Sequence, residues 1–157
     1  MNRLKRRTFL KGSLATGALA IAAGSGLLRP TEVLAASWPK DAFAGKDLQS
    51  AIQALFGSSD TQDSNAIDIK APLQAENGAV VPVSATVSLP DVEGIGIFVE
   101  KNPSTLATAV SLSGASAYYS ARIKMGKTSP VHVVVKSKGK LYSAKKTIKV
   151  TVGGCGG

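Results

Sequence analysis

The apolar positions of this chain change period along its length, and each period predicts a different element. From Leu14 to Leu28 they run with hardly a break, but Ala and Gly supply most of them. Further on, Leu48, Ile52, Leu55 and Phe56 fall at i, i+4, i+7 and i+8, one face of a 3.6-residue period, and Gly57 follows as a stop. That spacing predicts one short helix over 47–56. Residues 36–46 read as an extended lead-in, and the uniformly polar stretch 58–65 as a linker.

From Ile67 onward the period is two. Ile67, Ile69 and Ala71 alternate with Asp68 and Lys70, and Asn77-Gly78 marks a turn. Val81, Val83, Ala85, Val87 and Leu89 form a second run, in which Pro82 argues for an edge position or a bulge. Ile95, Ile97 and Val99 form a third, Leu106, Val110 and Leu112 a fourth, and Tyr119, Ala121, Ile123 and Met125 a fifth. Val131, Val133 and Val135 form a sixth. After the hairpin signal Ser137-Lys138-Gly139-Lys140 comes a seventh, with Tyr142, Ala144, Ile148, Val150 and Val152 inward and Ser143, Lys145, Thr147, Lys149 and Thr151 outward. About seven short strands with turns between them predict an all-β, antiparallel β-sandwich, each strand with one buried and one wet face. The organisation expected is a leader over 1–35, a lead-in and helix over 36–65, the sandwich over 66–152 and a tail over 153–157.

Charge at first points elsewhere. With 19 basic and 10 acidic residues the chain carries +9, which suggests nucleic acid or an anionic membrane. The leader accounts for much of it. Lys5-Arg6-Arg7-Thr8-Phe9-Leu10-Lys11 resembles the twin-arginine (Tat) export consensus, with Arg6 and Arg7 as the arginine pair and Lys5 where Ser or Thr is usual. The apolar stretch behind it is too short and too weakly hydrophobic for a comfortable membrane span, and cleavage is expected after Ala35 or Ala36. Removing 1–35 takes away six basic residues and Glu32, leaving 13 basic and 9 acidic, a net +4. The seven aromatics that remain are scattered rather than set as a stacking platform, so a nucleic-acid partner is not expected. No other stretch is a candidate membrane span. The expected product is a soluble periplasmic protein that could fold, or bind a partner, before export.

The candidate chemistry sits in the tail. One Cys excludes an intrachain disulfide and a Cys-based zinc cage, and one His leaves little for a catalytic triad, so no cofactor and no metal are expected. That Cys is Cys155, flanked by Gly153, Gly154, Gly156 and Gly157. Glycine packs no side chain and costs the most entropy to fix, which predicts a mobile arm that can enter a narrow pocket of another protein. A thiol with an ordinary pKa near 8.5 is only slightly ionised at neutral pH, and the nearby carboxylate disfavours a second negative charge. Cys155 therefore reads as a carrier handle activated by whatever docks with it. The competing reading is a structural module tethered to another subunit through an intermolecular disulfide of the same Cys155, and disulfide-linked dimers are expected of any exposed thiol in an oxidising compartment. Prenylation needs three residues after the Cys, and two follow.

Gly153-Gly154-Cys155-Gly156-Gly157 on an exported β-rich chain resembles the SoxY family. Ala71-Pro72, the stretch from Glu76 to Val83, Val99-Glu100-Lys101-Asn102-Pro103 and Lys124-Met125-Gly126 are similar to it as well. The resemblance implies an immunoglobulin-like sandwich with an N-terminal helix and a non-enzymatic, covalent carrier of sulfur intermediates. It implies a heterodimer with a SoxZ-like subunit, exported together with it. It implies conjugation of Cys155 to thiosulfate by a haem-containing SoxAX-like enzyme, hydrolysis of the terminal sulfone as sulfate by a dimanganese SoxB-like enzyme, and oxidation of the remaining sulfane sulfur by a SoxCD-like one. Lys136, Lys138, Lys140, Lys145, Lys146 and Lys149 concentrate positive charge in the last two strands, suited to an anionic adduct or to an ordinary solvated strand face. His132 is expected at the surface or an interface. Phe98, Tyr118 and Tyr119 are read as core or half-buried aromatics, with an interface as the other use.

Overall fold

A computed structural model describes residues 39–151. Two helices, α1 (Lys40–Ala44) and α2 (Leu48–Phe56), precede nine strands. The strands are β1 (Thr61–Asp63), β2 (Ile67–Lys70), β3 (Gln74–Ala75), β4 (Val81–Val87), β5 (Val92–Val99), β6 (Leu106–Ser111), β7 (Tyr118–Ile123), β8 (Ser129–Ser137) and β9 (Lys140–Val150). They form an immunoglobulin-like sandwich: a larger sheet ordered β1-β9-β8-β5-β6, with β3 also on β9, and a smaller one ordered β2-β4-β7.

The helix over 48–56 forms where its apolar face predicts it. Asp47 caps it in an extended conformation, accepting the Ser50 N–H at 2.9 Å and the Ser50 hydroxyl at 2.6 Å. These bonds to the charged form hold the Asp47 carboxyl below the usual carboxylate range. Gly57 ends the helix at φ 82°, a left-handed conformation suited to glycine. In the segment expected to be extended, residues 40–44 instead make one helical turn, with Ala42 fully buried.

The core between the sheets is built from the alternating positions. Val81, Val83, Ala85 and Val87 of β4 meet Ile95, Ile97 and Val99 of β5 and Val131, Val133 and Val135 of β8, with Met125 and Ile148 completing it. One wet face per strand does not hold for the larger sheet, whose far side carries a second core. Phe98, Leu106, Val134 and Leu141 bury there against Ala42, Ala51 and Ile52 of the two helices. Gly96 makes the close approach possible, since a Cβ there would lie 2.8 Å from the Phe98 ring and 2.9 Å from Leu55 Cδ2. Ser143, expected outward, is buried on this side and donates to Asp63 Oδ1 at 3.0 Å.

Three further expectations change. Pairing is not wholly antiparallel, because β1 and β3 run parallel to β9, in registers that include Thr61↔Leu141 and Gln74↔Lys149. The polar stretch 58–65 thus contains a strand. Nor is the Pro82 strand an edge or bulged: β4 is the middle of the smaller sheet, and its register with β7 is continuous. Its pairing with β2 stops at Ser84, however, so at Pro82 the strand has one neighbour only, which a residue without an N–H tolerates. The β8–β9 hairpin forms as expected, with Lys138 at φ 49° and Gly139 at φ 72° turning inside the Ser137↔Lys140 pair.

Candidate functional site

Cys155, Gly153, Gly154, Gly156 and Gly157, and the leader pair Arg6 and Arg7, lie outside the described residues. The structure reaches Thr151 and so describes the root from which the Cys155 segment departs. Cys155 is four positions beyond Thr151, a span of at most about 14 Å.

That root is held on several sides. The Lys149 N–H donates to Leu73 O at 2.9 Å and the Thr151 N–H to Ala75 O at 3.2 Å, so β3 straps the end of β9. From the other side the Val150 N–H donates to Thr128 Oγ1 at 3.0 Å. Gly78 presses against the same point, where a Cβ would lie 2.9 Å from Val150 Cγ1 and would clash with the Met125 carbonyl oxygen. The Met125 N–H donates to Gly78 O at 2.7 Å, and Met125 itself is buried in the sandwich core. Asn102 ties in the β5–β6 loop, donating from Nδ2 to Lys124 O at 2.6 Å and accepting from the Gly126 N–H at 3.1 Å. The β3–β4, β5–β6 and β7–β8 loops and the end of β9 therefore form one hydrogen-bonded junction. A shallow pocket of about 420 Å³ opens beside it, lined among others by Asn102, Pro103, Ala107 and Lys124.

The lysines divide into two groups. At the far end of the sandwich Lys136 pairs with Glu93 at 3.5 Å and Lys138 with Asp91 at 3.4 Å. Lys146, half-buried, donates to Ile69 O at 3.4 Å, across the gap between the sheets. At the junction Lys101, Lys124, Lys127 and Lys149 are all exposed. Among the described residues none of these four has an ion-pair partner; the one carboxylate pair near them is Glu100 with His132, at 3.3 Å. Sequence reasoning places the basic surface on the last two strands and misses Lys101, Lys124 and Lys127. Two of the family-like stretches, 99–103 and 124–126, carry two of those three and could have pointed to them.

The aromatics divide too. Phe98 is fully buried under the helices, Tyr119 bonds Thr108 Oγ1 through its hydroxyl at 2.6 Å, and Tyr118 is exposed. His132 is half-buried in its contact with Glu100. No group of three His, Cys, Asp or Glu side chains among the described residues could hold a metal ion. No helix among them is long and apolar enough to cross a membrane.

The family model for the sulfur oxidation protein SoxY matches residues 52–155, from α2 through Cys155. The chain belongs to the SoxY family. Among solved structures, the sulfur carrier protein SoxY from Chlorobium limicola f thiosulfatophilum is 45% identical, covering 65% of this chain and 94% of its own, with a TM-score of 0.59. Superoxide reductase (neelaredoxin) from Ignicoccus hospitalis is 16% identical over 55% of this chain and 81% of its own, with a TM-score of 0.49, a likeness too weak to bear on function. No curated protein matches the chain. The SoxY match encloses the junction, its four lysines and the cysteine beyond it. Membership of SoxY makes this chain part of sulfur oxidation, in a carrier family rather than an enzyme family.

Proposed function

We propose that this SoxY chain carries sulfur intermediates as covalent adducts on Cys155, presenting them to partner enzymes on the arm 153–157. The observation that carries the reading is the extent of the family match, which runs past the last strand and ends at Cys155 itself. The rooting of β9 supports it. The groups that fix the backbone of Lys149, Val150 and Thr151, the Leu73 and Ala75 carbonyls and the Thr128 hydroxyl, belong to the folded body, so the chain leaves from a defined point. Glycines then remove side-chain bulk around the sulfur, as entry into an enzyme channel requires.

In the same reading the chain works with a SoxZ-like subunit and docks transiently with SoxAX-, SoxB- and SoxCD-like enzymes. It is exported to the periplasm by the Tat route through Arg6 and Arg7, and its leader is cut after Ala35 or Ala36.

Intact-mass measurement of the protein, isolated without reductant after exposure to thiosulfate and the partner enzymes, tests the central claim. Sulfur or sulfonate adducts on Cys155 are expected, and Cys155→Ser should keep the fold and lose both the adducts and thiosulfate-dependent turnover. Turnover that survives Cys155→Ser overturns the reading. A single stable mixed disulfide in place of adducts would assign the thiol a tethering role instead.

A further inference from the structure

We propose that the free edge of β6 is an interaction surface that takes up an extended, acidic segment of a partner protein as an added strand of the larger sheet. β6 ends that sheet and pairs with β5 alone. The Leu112 N–H donates to Glu93 O at 2.8 Å, so the backbone of Leu112 is turned toward β5. Along an antiparallel ladder such residues alternate, and the register Ile95↔Val110 and Ile97↔Thr108 turns Val110 and Thr108 the same way. Ala109 and Ser111 therefore direct their N–H and C=O groups away from β5, and among the described residues no other strand pairs with them. The register shift at Ile97/Phe98 falls before Thr108 and leaves this stretch regular.

The other sheet edges are blunted. β1 and β3 have three and two residues, β2 carries Asp68 and Lys70, and β7 carries Arg122. Short strands and edge charges discourage strand addition. β6 has six residues and neither device, with no charged residue and no proline from Ser104 to Ala121. Charge selects the partner. Residues 101–127 hold Lys101, Arg122, Lys124 and Lys127 and no Asp or Glu. All four cations are exposed, and among the described residues none has an ion-pair partner. Lys124 lines the pocket of about 420 Å³ together with Leu106 and Ala107, the first residues of β6, so a basic group stands at one end of the free edge. Pairing β6 with β6 of a second copy would set two uncompensated basic regions against each other, whereas an acidic strand neutralises one. In this mode backbone bonds supply affinity and side-chain pockets the choice of partner. None of these groups involves Cys155, and the edge stands whether or not the carrier reading does.

Amide hydrogen exchange of the full chain, followed by NMR with the synthetic peptides EVTVTVTE and KVTVTVTK, tests this surface. In the protein alone the Ala109 and Ser111 amides should exchange fast and those of Thr108 and Val110 slowly. EVTVTVTE should protect Ala109 and Ser111 saturably and bind at least about three-fold more tightly than KVTVTVTK, a difference lost at about 0.5 M salt. Ala109→Pro removes an N–H that β5 does not use, where an edge strand tolerates proline, so it should keep the fold and lose the binding. Should that variant not fold, Ser111→Pro makes the same test at an exposed position. Lys124→Gln should reduce the preference for the acidic peptide about two- to three-fold. No protection of Ala109 and Ser111 by EVTVTVTE, or equal affinity for the two peptides, overturns the proposal. Protection without peptide that grows with protein concentration would assign the edge to a second copy, and protection without peptide at every concentration to another segment of the same chain; either result overturns the acidic partner.

Discussion

Gly78, in the loop before β4, packs against the strand that leads to Cys155. It holds no unusual backbone angle, so what demands glycine is space: a methyl group there runs into the Met125 carbonyl and lies 2.9 Å from Val150 Cγ1. Met125 cannot retreat, because its side chain sits in the sandwich core and its N–H is bonded to Gly78 O. Gly78→Ala is therefore expected to destabilise the domain by about 2 kcal/mol, a typical overpacking cost. Denaturant midpoints of the two proteins check this, and equal midpoints would mean that the loop does not press on β9. Asn77-Gly78 is legible in the sequence as a turn signal. The reason for glycine rather than another turn residue is not, because it depends on Val150, more than seventy positions away.

Strand β5 shows what periodicity can and cannot convey about an element. Ile95, Ile97 and Val99 alternate, and they face a core as alternation predicts. The residues between them, Gly94, Gly96 and Phe98, do not look like a wet face, and they are not one: α2 lies over them. Phe98 is the largest fully buried side chain of that second layer, and Phe98→Ala should cost about 3–5 kcal/mol. Equilibrium unfolding measures this, and a loss below about 1 kcal/mol would show the helical layer to be dispensable. β1 and β3 are invisible to periodicity for a different reason. Thr61-Gln62-Asp63 and Gln74-Ala75 are too short and too polar to show an apolar rhythm, although Ala75 is buried in the sandwich core, and what defines them as strands is backbone pairing to β9. The one-turn helix at 40–44 is likewise too short for its period to register.

For the whole molecule, the fold class is legible in the sequence and the charge pattern is not. Cys155 stands out because glycines isolate it. The junction lysines, at 101, 124, 127 and 149, become neighbours only when the loops between strands are brought to one end, and no local pattern encodes that. On the proposed carrier role, the length of the segment that bears Cys155 is a measurable quantity. Deleting Gly154 shortens the reach of Cys155 by roughly 3 Å. Turnover with the partner enzymes should slow while modification by a small neutral disulfide stays at the wild-type rate. Equal slowing of both would trace the effect to the thiol and not to reach.

The parallel strapping of β9 also sets an order of events during synthesis. Thr61 pairs with Leu141 and Gln74 with Lys149, contacts about 80 residues apart, and β9 lies between β8 on one side and β1 and β3 on the other. Contacts so distant in sequence slow folding and delay closure until the late partner exists. The larger sheet therefore cannot be completed on the ribosome before residue 150 has emerged, and until then the polar strands β1 and β3 have nothing to pair with. The step that seats the root of the cysteine segment is the same step that closes the domain, so a chain able to present its thiol from a fixed point is one that has already finished folding.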